Sequence, residues 1–314
     1  MLRPGWILLL VWGLVSCSGS GSPDADAEPD RLQVVSTSTI IADWTERIGG
    51  GAIDHRGLLQ PGADPHIYEP VPTDSRVLEQ ADLILYNGYN LEPGLIKLIT
   101  ATGIKARKLA VAEGIVPLDL TYQGHAVPDP HVWGDVQNTI QMVATIRQAL
   151  IELSPQHAAQ FTDEAEQLTT ELQQLHAWVQ AQVQTIPAQQ RVLVTTHDAF
   201  QYYAKAYGLT IGGSLIGIST EEQPSAQTVK RLADTIRSLG VPAIFAETTI
   251  NPTLIQTVAT EAGVQLSERE LYSDSVGTPD SEAGSYITMI EANTRTIVEA
   301  LGGTYTPFEM NGDP

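Results

Sequence analysis

Residues 156–186 read QHAAQFTDEAEQLTTELQQLHAWVQAQVQTI, and neither glycine nor proline interrupts them. Apolar side chains at Phe161, Ala165, Leu168, Leu172, Leu175, Val179 and Val183 recur at steps of three and four, the period of one helix face. At about 1.5 Å per residue, such a helix extends roughly 45 Å, more than one small domain needs. The economical reading is a rigid helix that crosses from one domain to the next. A surface hairpin is the competing one.

On both sides of this stretch, strand-like and helix-like segments alternate. Upstream, LQVVS, HRGLLQP, ADLILYNG and KARKLAVAEG read as strands, separated by helical segments such as TIIADWTERI and TDSRVLEQ. Downstream, RVLVTTH, LTIGGSLIG and VPAIFAET alternate with DAFQYYAKAYG, SAQTVKRLADTIRSLG and PTLIQTVATEAG, and VQLSERELYS reads as strand or loop. Strands in alternation with helices imply parallel sheets covered on both faces. The expected fold is α/β, with two Rossmann-like α/β lobes joined by one long rigid helix and a ligand cleft between them. The first lobe is placed at 31–154, the helix at 155–187 and the second lobe at 188–314.

The N-terminus fixes the compartment. Arg3 precedes an apolar run over 6–15, too short for a bilayer span of about 20 residues and suited to a secretory signal. The run ends in Leu14-Val15-Ser16-Cys17, which resembles a bacterial lipobox, so residues 1–16 are expected to be removed and Cys17 to carry lipid. Cys17 is the sole cysteine, so no internal disulfide is possible. Residues 17–30, CSGSGSPDADAEPD, have little to bury and read as a flexible tether. The mature chain should sit outside the cytoplasm, anchored to a bacterial membrane surface, in a periplasm or at a cell surface. With 37 acidic against 17 basic residues, a formal charge of −20, general attraction for nucleic acid is excluded.

Candidate ligands lie where strands end, the place where open α/β sheets bind. His66 stands in PGADPHIYEP, His131 in DPHVWGD, His197 closes RVLVTTH, and Asp274 lies in LYSDS. Two come from each lobe, so all four can meet in the cleft. Pro65 and Pro130 restrict the backbone just before two of the histidines. Nearby acids, Asp64 and Glu69 among them, can take the ring N–H that does not bind metal. Three imidazoles and one carboxylate complete a four-ligand shell with no position left open for water. The other candidates read as ordinary: His55 as a surface strand residue, His125 in a loop, His157 and His176 on the long helix. Asp43, Asp198 and Glu222 read as solvated or capping groups, and Trp44 and Trp133 as packing.

With these residues in view, the chain resembles the bacterial metal-binding lipoproteins of cluster A-I, the substrate-binding proteins of zinc and manganese ABC importers. The segments DPHIYEPVPTD, DPHVWGDVQN, TTHDAFQYYAKAYGL, GISTEEQPS, VPAIFAE and LYSDSVG carry the resemblance over nearly the whole mature chain. It implies two lobes on a linking helix, His66, His131, His197 and Asp274 as ligands, no catalysis, an ABC permease as partner, and a monomer. There are departures. Gly134-Asp135-Val136 stands where the family has Leu-Asp-Pro, and the segment 121–127 is short and holds only His125, where many zinc members carry a long His-rich loop.

The resemblance also frames the choice of metal. Manganese members tend to use Glu as third ligand; here His197 favours Zn2+, since imidazole suits zinc and carboxylate suits manganese. Mn2+ is the alternative, because a bidentate Asp274 adds an oxygen donor. A zinc hydrolase would need an open coordination position and a general base, and no HExxH occurs. A surface adhesin has only the anchor in its favour.

Overall fold

The computed structural model describes residues 31–122 and 125–310. The signal segment, Cys17 and the tether up to Asp30 lie outside the described residues.

In the first lobe β1 (Leu32–Ser36), β2 (Ile53–Gly57), β3 (Leu83–Tyr86) and β4 (Arg107–Ala110) form a parallel sheet in the order β2-β1-β3-β4. Its crossovers contain α1 (Thr39–Gly49), α2 (Pro72–Gln80) and α3 (Pro93–Ala101). Leu83, Ile84 and Leu85 are consecutive and all fully buried, as a strand covered on both faces requires. α1 starts where the Ser38 side chain accepts the Ile41 N–H, and it turns Ile40, Ile41, Trp44 and Ile48 into the core. The segment expected to be a short loop is instead an antiparallel hairpin of β5 (Asp119–Tyr122) and β6 (His125–Pro128). Strands this short show too little alternation to be read locally.

α4 (Val136–Leu153) begins at Asp135, whose side chain accepts the Gln137 N–H. α5 (Ala158–Gln184) is one continuous helix of 27 residues, which rules out a hairpin. It starts three residues later than the expected 155 because Pro155 opens a 3-10 turn over Pro155–His157. His157 therefore stands before the helix, not on it, and its Nδ1 lies 2.9 Å from Ser154 Oγ. α5 packs against α1 and α4, and Arg47 of α1 pairs with its Glu171.

In the second lobe β7 (Val192–Thr195), α6 (Gln201–Tyr207), β8 (Thr210–Ser214), α7 (Ala226–Leu239), β9 (Ala243–Ile244), α8 (Thr253–Ala262), β10 (Gln265–Leu266) and α9 (Tyr286–Ala300) follow in turn. β7 pairs with β8 and β9 with β10, both in parallel. The Phe245 N–H donates to the Val194 carbonyl at 2.9 Å, so β9 lies beside β7 and the spatial order is β8-β7-β9-β10. The second lobe thus repeats the strand arrangement of the first. β9 and β10 are shorter than VPAIFAET and VQLSERELYS suggest; beyond them, pairing resumes at a lone bridge between Glu247 and Leu271.

α5 also packs on α6 and α9, and its His176 Nδ1 lies 3.2 Å from the Tyr207 hydroxyl. The main apolar core spans both lobes, from Val34, Trp44 and Leu83 through Phe161 and Leu172 of α5 to Tyr203, Tyr286 and Ile297, while two smaller clusters, around Leu78 and Leu95 and around Ile236 and Ile255, lie within single lobes. No helix among the described residues is long and apolar enough to cross a membrane.

Candidate metal centre

The two Asp-Pro-His sequences fold into the same local turn. Asp64 Oδ1 accepts the backbone N–H of His66 at 2.9 Å, and Asp129 Oδ1 accepts that of His131 at 3.0 Å. Proline between them has no N–H, so the first free amide is that of the histidine two residues on, and a short acid can reach it. In the second turn Asp129 Oδ1 also lies 2.8 Å from His131 Nδ1, which leaves Nε2 pointing the other way. His66 differs. Asp64 holds only its backbone, and Glu69 is exposed rather than placed on the ring, so the expected carboxylate partner is missing there.

His197 follows β7. Its backbone N–H donates to Glu247 Oε1 at 2.8 Å, and its Nδ1 lies 2.5 Å from Glu247 Oε2. Glu247, in the segment beyond β9, therefore orients both the backbone and the ring. Asp274 lies in the long loop before α9, and its neighbours are held one by one. The Asn293 side chain bonds both the N–H and the carbonyl of Tyr272. The Trp133 indole N–H donates to the Ser273 carbonyl at 2.9 Å, and Ser275 bonds residues of the first lobe.

His66, His131, His197 and Asp274 meet at one point, with one donor atom of each within 4.8 Å of the others. His66 Nε2 and His131 Nε2 are 3.2 Å apart. Asp274 Oδ1 lies 3.4 Å from His131 Nε2, and Asp274 Oδ2 lies 3.2 Å from His197 Nε2 and 3.9 Å from His66 Nε2. All four residues are buried, with His66 the most accessible at 4% exposure. It borders a cavity of about 650 Å³ that Tyr86, Tyr89, Pro130 and Ser219 also line.

The electrostatics are those of a cation site. Burial drives the His66 ring down to about 3, with the neighbouring rings adding to the effect against Asp274. Burial would lower His197 as well, but Glu247 and Asp274 on either side outweigh it and hold the ring well above its usual range. Burial would raise Asp274; the three imidazoles, His197 foremost, pull it well below the usual carboxylate range instead. His197 Nε2 and both Asp274 oxygens are buried and make no hydrogen bond. Buried polar atoms without partners are costly. A divalent ion bound to these inward-facing lone pairs removes that cost, so the donor set fits such an ion.

The other candidates fall elsewhere. His125 is exposed on the hairpin. His55, expected at the surface, is enclosed: its side chain is 5% exposed and its Nε2 lies 2.9 Å from Ser36 Oγ. Asp43 accepts the N–H of Tyr286 at the start of α9. Asp198 accepts from the Gln201 side chain, and Glu222 from the Gly217 N–H. Trp44 packs edge-on against Tyr286. Trp133 packs too, with its ring centre 5.4 Å from that of His131. Sequence reasoning assigned no role to Glu247, Ser275 or Thr39. Their partners lie far away in the chain, and no local pattern marks them.

Two α/β lobes on a spanning helix, with a buried three-histidine, one-aspartate cluster between them, define a metal-binding protein of the two-lobed type. The family model for zinc-uptake complex component A, periplasmic, matches residues 34–300. The zinc-binding protein TroA of Treponema pallidum is 37% identical over 285 residues, covering 90% of this chain and 92% of that one. The manganese ABC transporter substrate-binding lipoprotein PsaA of Streptococcus anginosus is 32% identical over 311 residues, covering 96% of this chain and 99% of its own. The solved structure of the periplasmic zinc-binding protein TroA from Treponema pallidum superposes with a TM-score of 0.82 at 35% identity, over 86% of this chain and 99% of that one. The chain belongs to this family of metal ABC transporter substrate-binding proteins, which are transport components and not enzymes.

Proposed function

We propose that the protein captures Zn2+ between its lobes and delivers it to an ABC permease, with His66, His131, His197 and Asp274 as the four ligands. The observation that carries this reading is the convergence of four buried donors, three of whose inward-facing atoms have no hydrogen-bond partner. Three imidazoles and one carboxylate are a donor set that zinc favours. Asp129 and Glu247 fix the rings of His131 and His197 so that Nε2 faces the cation. Glu247 and Asp274 hold the His197 ring well above its usual range, so a cation at Nε2 competes with a proton.

Manganese is the second reading, and two observations favour it. The PsaA relative is named for manganese. Both Asp274 oxygens also face imidazoles, at 3.4 and 3.2 Å, so a bidentate carboxylate supplies a fifth donor of the harder kind.

In the same proposal, Cys17 carries the lipid anchor, residues 17–30 tether the body outside the cytoplasm, and 31–154 and 188–314 act as the lobes on either side of 155–187. The body works as a monomer. The test is the metal content of protein purified from its native host, with zinc and manganese affinities measured side by side. Zinc at one ion per chain, lost in His66→Ala and in Asp274→Ala, is the expected result. Manganese in that place moves the assignment to the second reading, and neither metal ends both.

A further inference from the structure

We propose that Ser275 is a positioning residue that ties the loop carrying Asp274 to the loop leading to His66, and that this tie sets how long the cation stays bound. The proposal rests on the metal-binding reading above. Ser275 is 1% exposed, and its Oγ lies 2.8 Å from the Gly62 amide nitrogen, 3.0 Å from Thr39 Oγ1 and 3.0 Å from the Val276 carbonyl. The Val276 N–H in turn donates to Thr39 Oγ1 at 3.1 Å.

The bookkeeping of hydrogens fixes the direction of each bond. A hydroxyl has one proton to give and two lone pairs. The Ser275 proton goes to the Val276 carbonyl, so its lone pairs receive the Gly62 N–H and the Thr39 O–H. Thr39 then accepts from Val276. Every hydrogen-bonding position of Ser275 is filled. Its neighbour Ser273 shows that this is not a general property of the loop, since Ser273 Oγ is buried and makes no hydrogen bond.

The two sides of this network belong to different lobes. Thr39 opens α1, and Gly62 sits in a tight turn in which Ala63 N–H bonds the Gln60 carbonyl, just ahead of the Asp64-Pro65-His66 turn. Ser275 and Val276 directly follow Asp274. One oxygen atom therefore touches both ligand-bearing loops. For the two loops to part, the Gly62 N–H and the Thr39 hydroxyl must leave Ser275 Oγ. The bonds at Ser275 are thus broken on the way out and need not be formed before a cation first meets the ligands, which places their effect on release more than on capture.

The experiment follows Zn2+ release from the full folded domain into excess chelator by stopped flow, for the parent, Ser275→Ala, Thr39→Val, Thr39→Ser and the Thr39→Val/Ser275→Ala double variant. Melting of each metal-free protein is measured alongside. Loss of about one hydrogen bond corresponds to release about tenfold faster. Ser275→Ala and Thr39→Val are expected to show that acceleration. Thr39→Ser, which keeps the hydroxyl, restores slow release, and the double variant is no faster than the faster single one, as partners in one network require. Release at the parental rate in Ser275→Ala and Thr39→Val overturns the proposal. So does acceleration in Thr39→Ser equal to that in Thr39→Val, because a lost methyl and not a lost hydroxyl is then responsible. Should Ser275→Ala fail to fold, the Thr39→Val and Thr39→Ser pair decides by the same criterion. A parent that binds neither Zn2+ nor Mn2+ removes the metal-binding reading itself; a parent that binds only Mn2+ is carried through the same release series with that ion; a parent that binds either ion, with variants that release it no faster, removes only the role of Ser275.

Discussion

In the proposed site His197 is the side chain on which the choice of cation turns. Its ring stands between Glu247 and Asp274, with Nδ1 held by the first and Nε2 aimed at the second. In His197→Glu a hard anionic donor replaces an imidazole beside two other acids, and the ratio of zinc to manganese affinity should fall by about tenfold or more. Competitive titration of the two ions on parent and variant measures that ratio; an unchanged ratio means that residue 197 does not touch the metal. Glu92 raises a separate question of pH. Its Oε1 accepts from the Asn87 N–H at 2.7 Å and the Thr37 hydroxyl at 2.8 Å, while Oε2 is buried without a partner. Burial outweighs those bonds and pushes the carboxyl from 4.5 up to about 7. Between those values the folded protein holds a proton that the unfolded chain has released. Stability therefore falls as pH rises through that window, by on the order of 3 kcal/mol, and is flat above it. Urea unfolding at pH 5 and at pH 7.5 should show the Glu92 part as a difference in pH dependence between the metal-free parent and Glu92→Gln, since the buried His66 ring acts in the opposite direction over the same window.

At the scale of elements, α5 is the member that both lobes share. Leu172 lies in its middle and is fully buried in the common core. Leu172→Ala should cost about 2–5 kcal/mol, read from the denaturant midpoint, and should leave the metal site assembled in the protein that remains folded. α5 was legible in the sequence because its apolar spacing persists for many turns without a breaker. The first-lobe sheet was legible for a related reason, since its strands are apolar runs between helical segments. The four converging residues were legible because they stand at strand ends or in the loops beyond them, two of them in a repeated Asp-Pro-His. What the sequence hid are relations between distant segments. Glu247 meets His197 across 50 positions, and Thr39 meets Ser275 across 236. The β5–β6 hairpin escaped because its strands have only four residues each. The boundary of α5 shifted because Pro155 starts a 3-10 turn that periodicity does not register.

Over the whole molecule, the continuous core decides how the lobes behave. Trp44 of the first lobe touches Tyr286 of the second, and the Tyr286 hydroxyl donates to the Trp133 carbonyl at 2.6 Å. Lobes that share a core should not unfold separately. Denaturation followed by far-UV circular dichroism and by tryptophan emission should give one coincident transition, and two resolved transitions would refute a shared core. A saturating cation at one hundred times its Kd should move that single transition upward by about 2.7 kcal/mol of added stability.

The indole of Trp133 has an optical consequence. Among the described residues Trp44, Trp133 and Trp178 are the tryptophans. Trp178 lies against Tyr305 and Phe308, and Trp44 against Tyr286, whereas Trp133 stacks edge-on against the His131 ring itself. One tryptophan in three thus touches a proposed ligand. With the cation on His131 Nε2, as proposed, a paramagnetic ion is expected to dim Trp133 more than a closed-shell ion does, so the unlabelled protein should distinguish Mn2+ from Zn2+ by the brightness of its own light.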